Sequence, residues 1–453
     1  MPLVKNQLIP LSIGAISSDG NGIGRHDGQA VFVPATAVGD TVQVRITKVQ
    51  KQYAYARPEE VLQPGPGRRE EDCPVSRVCG GCNFRHLTYE AELCAKQGFV
   101  ADALRRIGHL DVSPRPICPS PQEDRYRNKV QYPVAAGQNG ELLTGFYAAH
   151  SHRVVPCQDC LLQPQLLNRI AARAAALLQG AGAAAYNEAT QTGLVRHLYL
   201  RQSTQSGGVL LCFVLAGRAL PGGGTVETAL LQKFPEIETI VLNHNPKNTN
   251  VVLGRENRVL YGKGTLNDSL CSVPLKLGVH SFAQVNAAGA EKLFGFAAAF
   301  AAPQKHEVLL DLYCGTGVIG LSMAASAKRL IGVDIVPPAI ESARESAQKM
   351  GLSNTNFLCA DAAGAAARLA AQGEKPDVIV LDPPRKGAGA ATLQAVLAMA
   401  PQRIVMVSCN PATLARDLAI LATGGYAVDI VQPVDLFPRT KHVECVCLLT
   451  KHA

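Results

Sequence analysis

Cys409 stands in "VSCNP", directly after the apolar, β-branched run "RIVMV". It therefore falls where a strand ends and a loop begins, a position from which side chains often do chemistry. A lone cysteine is more commonly a small buried hydrophobe, so its reading depends on what else the chain can bring to it. "EVLLDLYCGTGVIGL" supplies an apolar strand ending at Asp311, a turn holding Gly315, Gly317 and Gly320, and the start of a helix. Glycines there let the backbone approach a ligand closely, and Asp334, closing the next strand "RLIGVDI", is placed to accept hydrogen bonds from ribose hydroxyls. Asp361 of "FLCADA" and Asp382 of "VLDPPRKG" end two further strands. The series points to an adenosine-type cofactor. The glycine turn alone would also suit a nicotinamide nucleotide, and a proline-stopped strand explains "DPPR" without any ligand.

A second group is built from sulfur. Cys73, Cys79 and Cys82 are spaced C-x5-C-x2-C around a Cys-Gly-Gly-Cys loop, and "PCQDCLLQP" offers Cys157 or Cys160 as a remote fourth ligand. Iron-sulfur sites combine a compact ligand group with one distant cysteine in this way, and a closed zinc site uses four thiolates equally well. The C-x3-C-x2-C spacing of radical enzymes is absent from the group.

Three kinds of element must position these residues. Residues 1–62 alternate short β-branched and aromatic stretches with Gly-Asp breaks, which predicts a small antiparallel barrel whose outer face carries Arg25, Arg45, Lys48, Lys51 and Arg57. "LQPGPGRREED" reads as a linker. Residues 63–275 mix helical stretches such as "LLNRIAARAAALLQG" with strands such as "GGVLLCFVLAG", an α+β pattern, and residues 276–453 alternate strands and helices, an α/β pattern with a mainly parallel sheet. The 453 residues, 47% hydrophobic and 18% charged, describe a globular protein rather than a disordered one. The chain shows neither a secretory leader nor an apolar run of spanning length, which predicts a cytoplasmic protein with no membrane partner. Fourteen cysteines in that setting are thiols or ligands rather than a disulfide framework, and a net charge of +8 suits a polyanionic partner.

Acids after successive strands followed by "DPP" resemble the Rossmann-like class I S-adenosylmethionine-dependent methyltransferases. "DGNGIGRHDGQAVFVP", the cysteine group, "YRNKVQY", "TGLVRHLYLR", "SFAQVN", "DLYCGTG", "LDPPRKG", "VSCNPATLARDL" and "DLFPRTKHVECVCLL" together resemble the bacterial RNA uracil-C5 methyltransferases acting on 23S ribosomal RNA. Enzymes of that branch carry an OB-like TRAM barrel and a 4Fe-4S cluster. The resemblance implies cofactor contacts at Gln284, Tyr313, Gly315, Gly317, Val318, Asp334, Asp361 and Asp382, and cluster ligands at Cys73, Cys79, Cys82 and Cys160. It implies a monomer acting on RNA, with no DNA partner. The chain departs from the family at "SAQKMG", where "NAxxNG" is usual, and at Ala283, where an aromatic is usual.

The chemistry explains why a cysteine is required. C5 of uracil becomes nucleophilic only after a thiolate adds to C6, and the thiolate must later leave. A base must then remove the C5 proton. The resemblance assigns the nucleophile to Cys409 and the base to Glu444 of "HVE". His442 is read as a hydrogen-bonding neighbour, and Cys314, Cys445 and Cys447 as packing residues. Arg127, Lys129, Arg196, His197 and Arg201 are candidates to meet phosphates or stack on bases. Methylation of the transfer-RNA T-loop, a nicotinamide oxidoreductase and a non-catalytic RNA-binding assembly factor are the alternatives.

Overall fold

Alternating β-branched residues and well-placed glycines close the first five strands on themselves. In the computed structural model, which describes residues 3–452, β1 (Leu8–Ile16), β2 (Gly22–His26), β3 (Gln29–Val33), β4 (Thr41–Val49) and β5 (Tyr53–Gln63) form a closed barrel in the order β1-β2-β3-β5-β4. The first two residues of the expected barrel segment lie outside the described residues. Along β4, Val42, Val44 and Ile46 are fully buried while Thr41, Gln43 and Arg45 face outward, the period of two expected of a half-buried strand. Closure is tight at Gly24, where a Cβ would come within 2.5 Å of the Leu11 side chain. Of the cations expected outside, Arg45 and Arg57 share Glu59 at 2.6 and 3.1 Å. Lys48 stays beside its register partner Tyr55, which packs with Phe32 and Tyr53 in a partly exposed aromatic group. The expected linker is clamped rather than free. Gly65 N donates to Asp40 Oδ1 at 2.8 Å and Arg68 binds the same fully buried carboxylate at 2.6 Å.

The middle of the chain begins with α1 (Tyr89–Arg106), whose cap Thr88 accepts from Ala91 N, with acids in the first turn and arginines in the last, as the helix dipole favours. Strands β6 (Lys129–Ala136), β7 (Leu142–Tyr147), β8 (Val154–Pro156), β9 (Val195–Gln202), β10 (Val209–Leu215), β11 (Ile237–His244) and β12 (Glu256–Tyr261) form one sheet in the order β12-β11-β10-β9-β6-β7-β8. Helices α2 (Gln165–Gly180) and α3 (Gly223–Lys233) bury Leu167, Ile170, Leu178, Val226 and Leu230 with the sheet's apolar residues. A hairpin, β13 (Leu266–Leu270) and β14 (Val273–Leu277), leads out of it.

The last sheet runs β17-β16-β15-β18-β19-β21-β20. Its strands are β15 (Val308–Leu312), β16 (Arg329–Asp334), β17 (Thr355–Cys359), β18 (Val378–Leu381), β19 (Arg403–Ser408), β20 (Tyr426–Val434) and β21 (Glu444–Lys451). The first five are parallel, and β21 enters antiparallel between β19 and β20. Helices α4 (Ala287–Ala301), α5 (Val318–Ala324) and α6 (Pro337–Lys349) pack on one face, and α7 (Ala362–Ala371), α8 (Ala390–Met399) and α9 (Pro411–Thr423) on the other. Central strands covered on both faces read as continuous apolar runs for this reason. The chain order interlocks: β13 and β14 pack into the α4–α6 core, while Val100 and Leu104 of α1 join the opposite one.

Candidate active site

The strand order reverses between β15 and β18, so the loops leaving them diverge and open a crevice at the carboxyl ends of the strands. That crevice is a cavity of about 1660 Å³, larger than the roughly 300–1000 Å³ of a single small-ligand site. It has room for a cofactor and a nucleotide together.

Its cofactor side is built by the turn after β15. Gly317 adopts φ 81° as the cap of α5, a conformation that favours glycine. It lies behind the wall rather than in it, whereas Gly315 and Val318 line the cavity. Gly315 N donates to Asp334 Oδ2 at 2.9 Å and Val336 N to Asp334 Oδ1 at 2.8 Å. These bonds fix the Asp334 carboxylate in the wall. Gln284 lines the same space, its loop held by Asn128 Nδ2 donating to Gln284 O at 3.1 Å. Tyr313 and Asp361 also line it, but each has structural work: Tyr313 Oη donates to Ala388 O at 2.8 Å, and Asp361 caps α7 by accepting from Gly364 N at 2.8 Å.

The other end holds Asp382, Cys409 and Glu444. Register explains the meeting of the last two: Ser408 pairs with Cys445 across β19 and β21, and the next pair along that antiparallel ladder is Cys409 and Glu444. Glu444 is only 6% exposed. Burial, reinforced by the charge of Asp382 and opposed by Arg385, pushes its carboxyl up to about 8. Burial likewise pushes Asp382 up to about 7. The Cys409 thiol is raised by burial and by Glu444, while Arg385 draws it down by charge and by a hydrogen bond to the sulfur.

Arg385, noted in the sequence only as the fourth letter of "DPPR", is the cation that acts on Cys409 here. Its backbone carbonyl accepts from Asn410 Nδ2 at 3.1 Å and Thr413 Oγ1 at 3.2 Å, and its Nη2 lies 3.5 Å from His442 Nε2. No spacing signal could have found it, because its partners lie on two other segments. His442 serves as the expected neighbour, and Cys445 and Cys447 are fully buried. A second group also escaped notice. Fully buried Lys96 binds Glu92 and Asp435, each at 2.7 Å, and the Phe437 carbonyl at 3.1 Å. It thereby pins α1 to the loop that leads into Glu444.

The five RNA candidates separate. Arg196 is turned aside at an irregularity in β9, where it lies over Tyr186 at 4.3 Å and reaches Glu188 at 3.7 Å. His197 is buried beside the Tyr147 hydroxyl at 3.4 Å, and burial lowers it to about 4. Arg127 and Lys129 line the cavity.

The cysteine loop leans on the turn between β7 and β8: Cys79 bridges Ala148, and Gly80 N donates to Tyr147 O at 2.9 Å. This brings Cys73, Cys79 and Cys82 near Cys157 and Cys160. Cys157 hydrogen-bonds Cys160, and that bond, with the amides of Leu162 and Gln163, draws Cys160 down to about 7. Burial and the neighbouring Cys160 and Cys79 push Cys82 up to about 12, against the pull of Arg85. Among the described residues, no three His, Cys, Asp or Glu side chains form a group that could hold a metal ion as they stand. The thiols are neighbours without being closed into a ligand shell.

Comparison with known proteins agrees with this geometry. The family described as tRNA (Uracil-5-)-methyltransferase matches residues 272–452, and the TRAM domain matches residues 3–58. An uncharacterized RNA methyltransferase of Halalkalibacterium halodurans is 38% identical over 449 residues, 99% of this chain and 98% of its own. One from Oceanobacillus iheyensis is 38% identical over 451 residues, with the same coverage. The fold superposes on the tRNA (uracil-54, C5)-methyltransferase of Pyrococcus abyssi, solved with S-adenosyl-L-homocysteine, with a TM-score of 0.78 at 24% identity over 98% of this chain and 100% of that one. With relatives this similar over its full described length, and a barrel followed by a class I sheet, the chain belongs to the S-adenosylmethionine-dependent RNA (uracil-5-)-methyltransferases that carry a TRAM domain.

Proposed function

We propose that this enzyme methylates C5 of a uridine in 23S ribosomal RNA by covalent addition of Cys409 to C6 of the base. The observation that carries the reading is the convergence of Cys409, Glu444, Asp382 and the Asp334 turn on one cavity. S-adenosylmethionine supplies an electrophilic methyl group when bound, and Asp334 and Gln284 orient it, with Tyr313, Gly315, Val318, Asp361 and Asp382 forming the rest of its wall and Gly317 shaping the turn. Arg385 favours the Cys409 thiolate, whose electron pair forms the bond to C6. The ring electrons so released make C5 the nucleophile toward the methyl group. Glu444 then takes the C5 proton, the C5–C6 double bond re-forms, and the C6–sulfur bond breaks to return the thiolate. The target base must leave its stack to expose both faces, which costs a few kcal/mol and least in a loop.

We assign residues 1–62 to the RNA-binding barrel, 63–275 to the central unit and 276–453 to the catalytic unit, in a cytoplasmic monomer. Cys73, Cys79, Cys82 and Cys160 fit a 4Fe-4S cluster in donor type and neighbourhood, and the amides directed at Cys160 resemble the hydrogen bonds that tune cluster sulfurs. Binding would have to draw the thiols together, and zinc is the rival tenant.

Transfer RNA is the second reading. The P. abyssi neighbour, a tRNA (uracil-54, C5)-methyltransferase, covers 98% of this chain, barrel included, so the barrel does not separate the two substrates. Mapping 5-methyluridine in ribosomal and transfer RNA from a deletion strain decides between them. Loss of the mark from tRNA alone overturns the ribosomal assignment. The covalent step is tested with RNA carrying 5-fluorouridine at the target: fluorine cannot leave as a proton does, so a denaturation-stable adduct forms, and Cys409→Ala abolishes both adduct and methylation. An adduct that survives this substitution defeats the nucleophile assignment.

A further inference from the structure

Lys129 and Arg201 are direct partners across the antiparallel pair β6 and β9, so two like charges face each other on one side of the sheet, a destabilising arrangement. Arg127, two residues before Lys129, joins them. Neither Arg127, Lys129 nor Arg201 has a carboxylate partner among the described residues. Arg201 is 1% exposed and spends one nitrogen, Nη2, on Ser281 O at 2.7 Å, leaving Nε and Nη1 without acceptors. Asp268 is the acid that acts on Arg201, but its oxygens are occupied by Thr204, Gln205 and Ser269. Arg127 Nε also lacks an acceptor, and its guanidinium lies 5.9 Å from the Phe437 ring, which is on the loop that leads to Glu444. Burial and the two arginines hold Lys129 down to about 8.

Arg127 and Lys129 line the cavity, with Arg201 buried behind them, and the arrangement costs the free protein stability unless that wall receives an anion. We propose that Arg127 and Lys129, with the buried charge of Arg201 behind them, form the seat of one RNA phosphodiester, that of the methylated nucleotide or its immediate neighbour. The inference rests on the RNA-methylation reading and deepens it. The cofactor's carboxylate has the same oxyanion chemistry and could reach the Gln284 loop, which Asn128 holds. The contact of Arg127 with Phe437 instead places the cations toward the Cys409 and Glu444 end, where the nucleotide must sit. Held there, the phosphate would fix the sugar while the base turns inward.

The test compares wild type, Lys129→Gln, Lys129→Arg and Arg127→Gln. A fluorescein-labelled, uridine-rich single-stranded RNA is titrated at several KCl concentrations, and S-adenosylhomocysteine binding is followed by calorimetry. Lys129→Gln and Arg127→Gln each weaken RNA binding several-fold and flatten the log Kd against log salt slope by roughly 0.7 to 1, while S-adenosylhomocysteine affinity stays within about twofold. Lys129→Arg keeps the slope. In phosphate-free buffer Lys129→Gln melts no lower than wild type, because it relieves a repulsion. An unchanged slope in both glutamine variants overturns the proposal. So does a loss of S-adenosylhomocysteine affinity equal to that for RNA, which would assign the anion as the cofactor's carboxylate. Wild type that binds RNA with the full slope yet methylates no uridine would sink the methylation reading and leave the seat standing. Normal methylation with unchanged slopes would do the reverse.

Discussion

Glu444→Gln separates the chemistry of the site from its stability, because one buried carboxyl controls both. Glu444 ionises near 4.5 in an unfolded chain and near 8 in the folded protein. Between those values the native state binds one more proton than the unfolded state, so stability falls as pH rises through the window and levels off above it. The whole interval corresponds to roughly 5 kcal/mol, and the part between pH 6 and pH 8 to roughly 2 kcal/mol. Glutamine keeps the shape and cannot ionise, so the variant lacks this slope, while Asp382, raised by burial to about 7, contributes to both proteins. Urea unfolding at pH 6, 7 and 8 should show wild type losing about 2 kcal/mol more than the variant over the window. With ordinary RNA, Glu444→Gln should complete addition and methyl transfer and then stall, so a protein–RNA adduct accumulates without fluorine. Parallel pH dependences would refute the buried-carboxyl argument. Normal turnover by the variant would refute the assignment of the base and turn attention to Asp382.

Arg385→Gln removes the charge and hydrogen bond that favour the Cys409 thiolate, so iodoacetamide alkylation of Cys409 at pH 8 should slow by roughly tenfold or more and its midpoint should move to higher pH; an unshifted profile would show that Arg385 does not act on the sulfur. Asp334→Ala should weaken S-adenosylmethionine binding by roughly 1 to 3 kcal/mol in calorimetry, by removing an acceptor for the ribose hydroxyls, with RNA affinity barely changed; equal losses for both would indicate misfolding. Anaerobically purified protein should be brown with about four irons per chain, and Cys79→Ser should lose iron and RNA affinity while keeping cofactor binding. Stoichiometric zinc without iron would overturn the cluster.

Much of this protein could be read along the chain. The barrel, the α+β middle and the alternating α/β end follow from periodicity, because one buried face imposes its spacing on the residues that make it. The cofactor turn was equally legible: Asp311, Gly315, Gly317 and Asp334 lie within 24 residues, and a strand, a turn and a helix start bring them together without help from distant chain. Cys409 is assigned as the nucleophile only through motif resemblance, since a strand end has no sequence mark of what faces it.

What tertiary structure decided was every relation between distant segments. Glu444 meets Cys409 because β21 inserts antiparallel beside β19 in one register; a slip of one residue would turn its carboxyl to the opposite face of the sheet. Arg385 is held beside the Cys409 segment because α9 and the "DPPR" loop share hydrogen bonds. The charged stretch after β5 is a clamped connector rather than a free one, because folding delivers Arg68 to buried Asp40. Arg196 and Arg201, five residues apart on one strand, end in different surroundings, Arg196 over Tyr186 beside Glu188 and Arg201 against Ser281 O. Residue type settles what a side chain can do, and strand register, burial and crossing charges settle what it is given to act on. Those are properties of the packed sheet, which no local window of sequence contains.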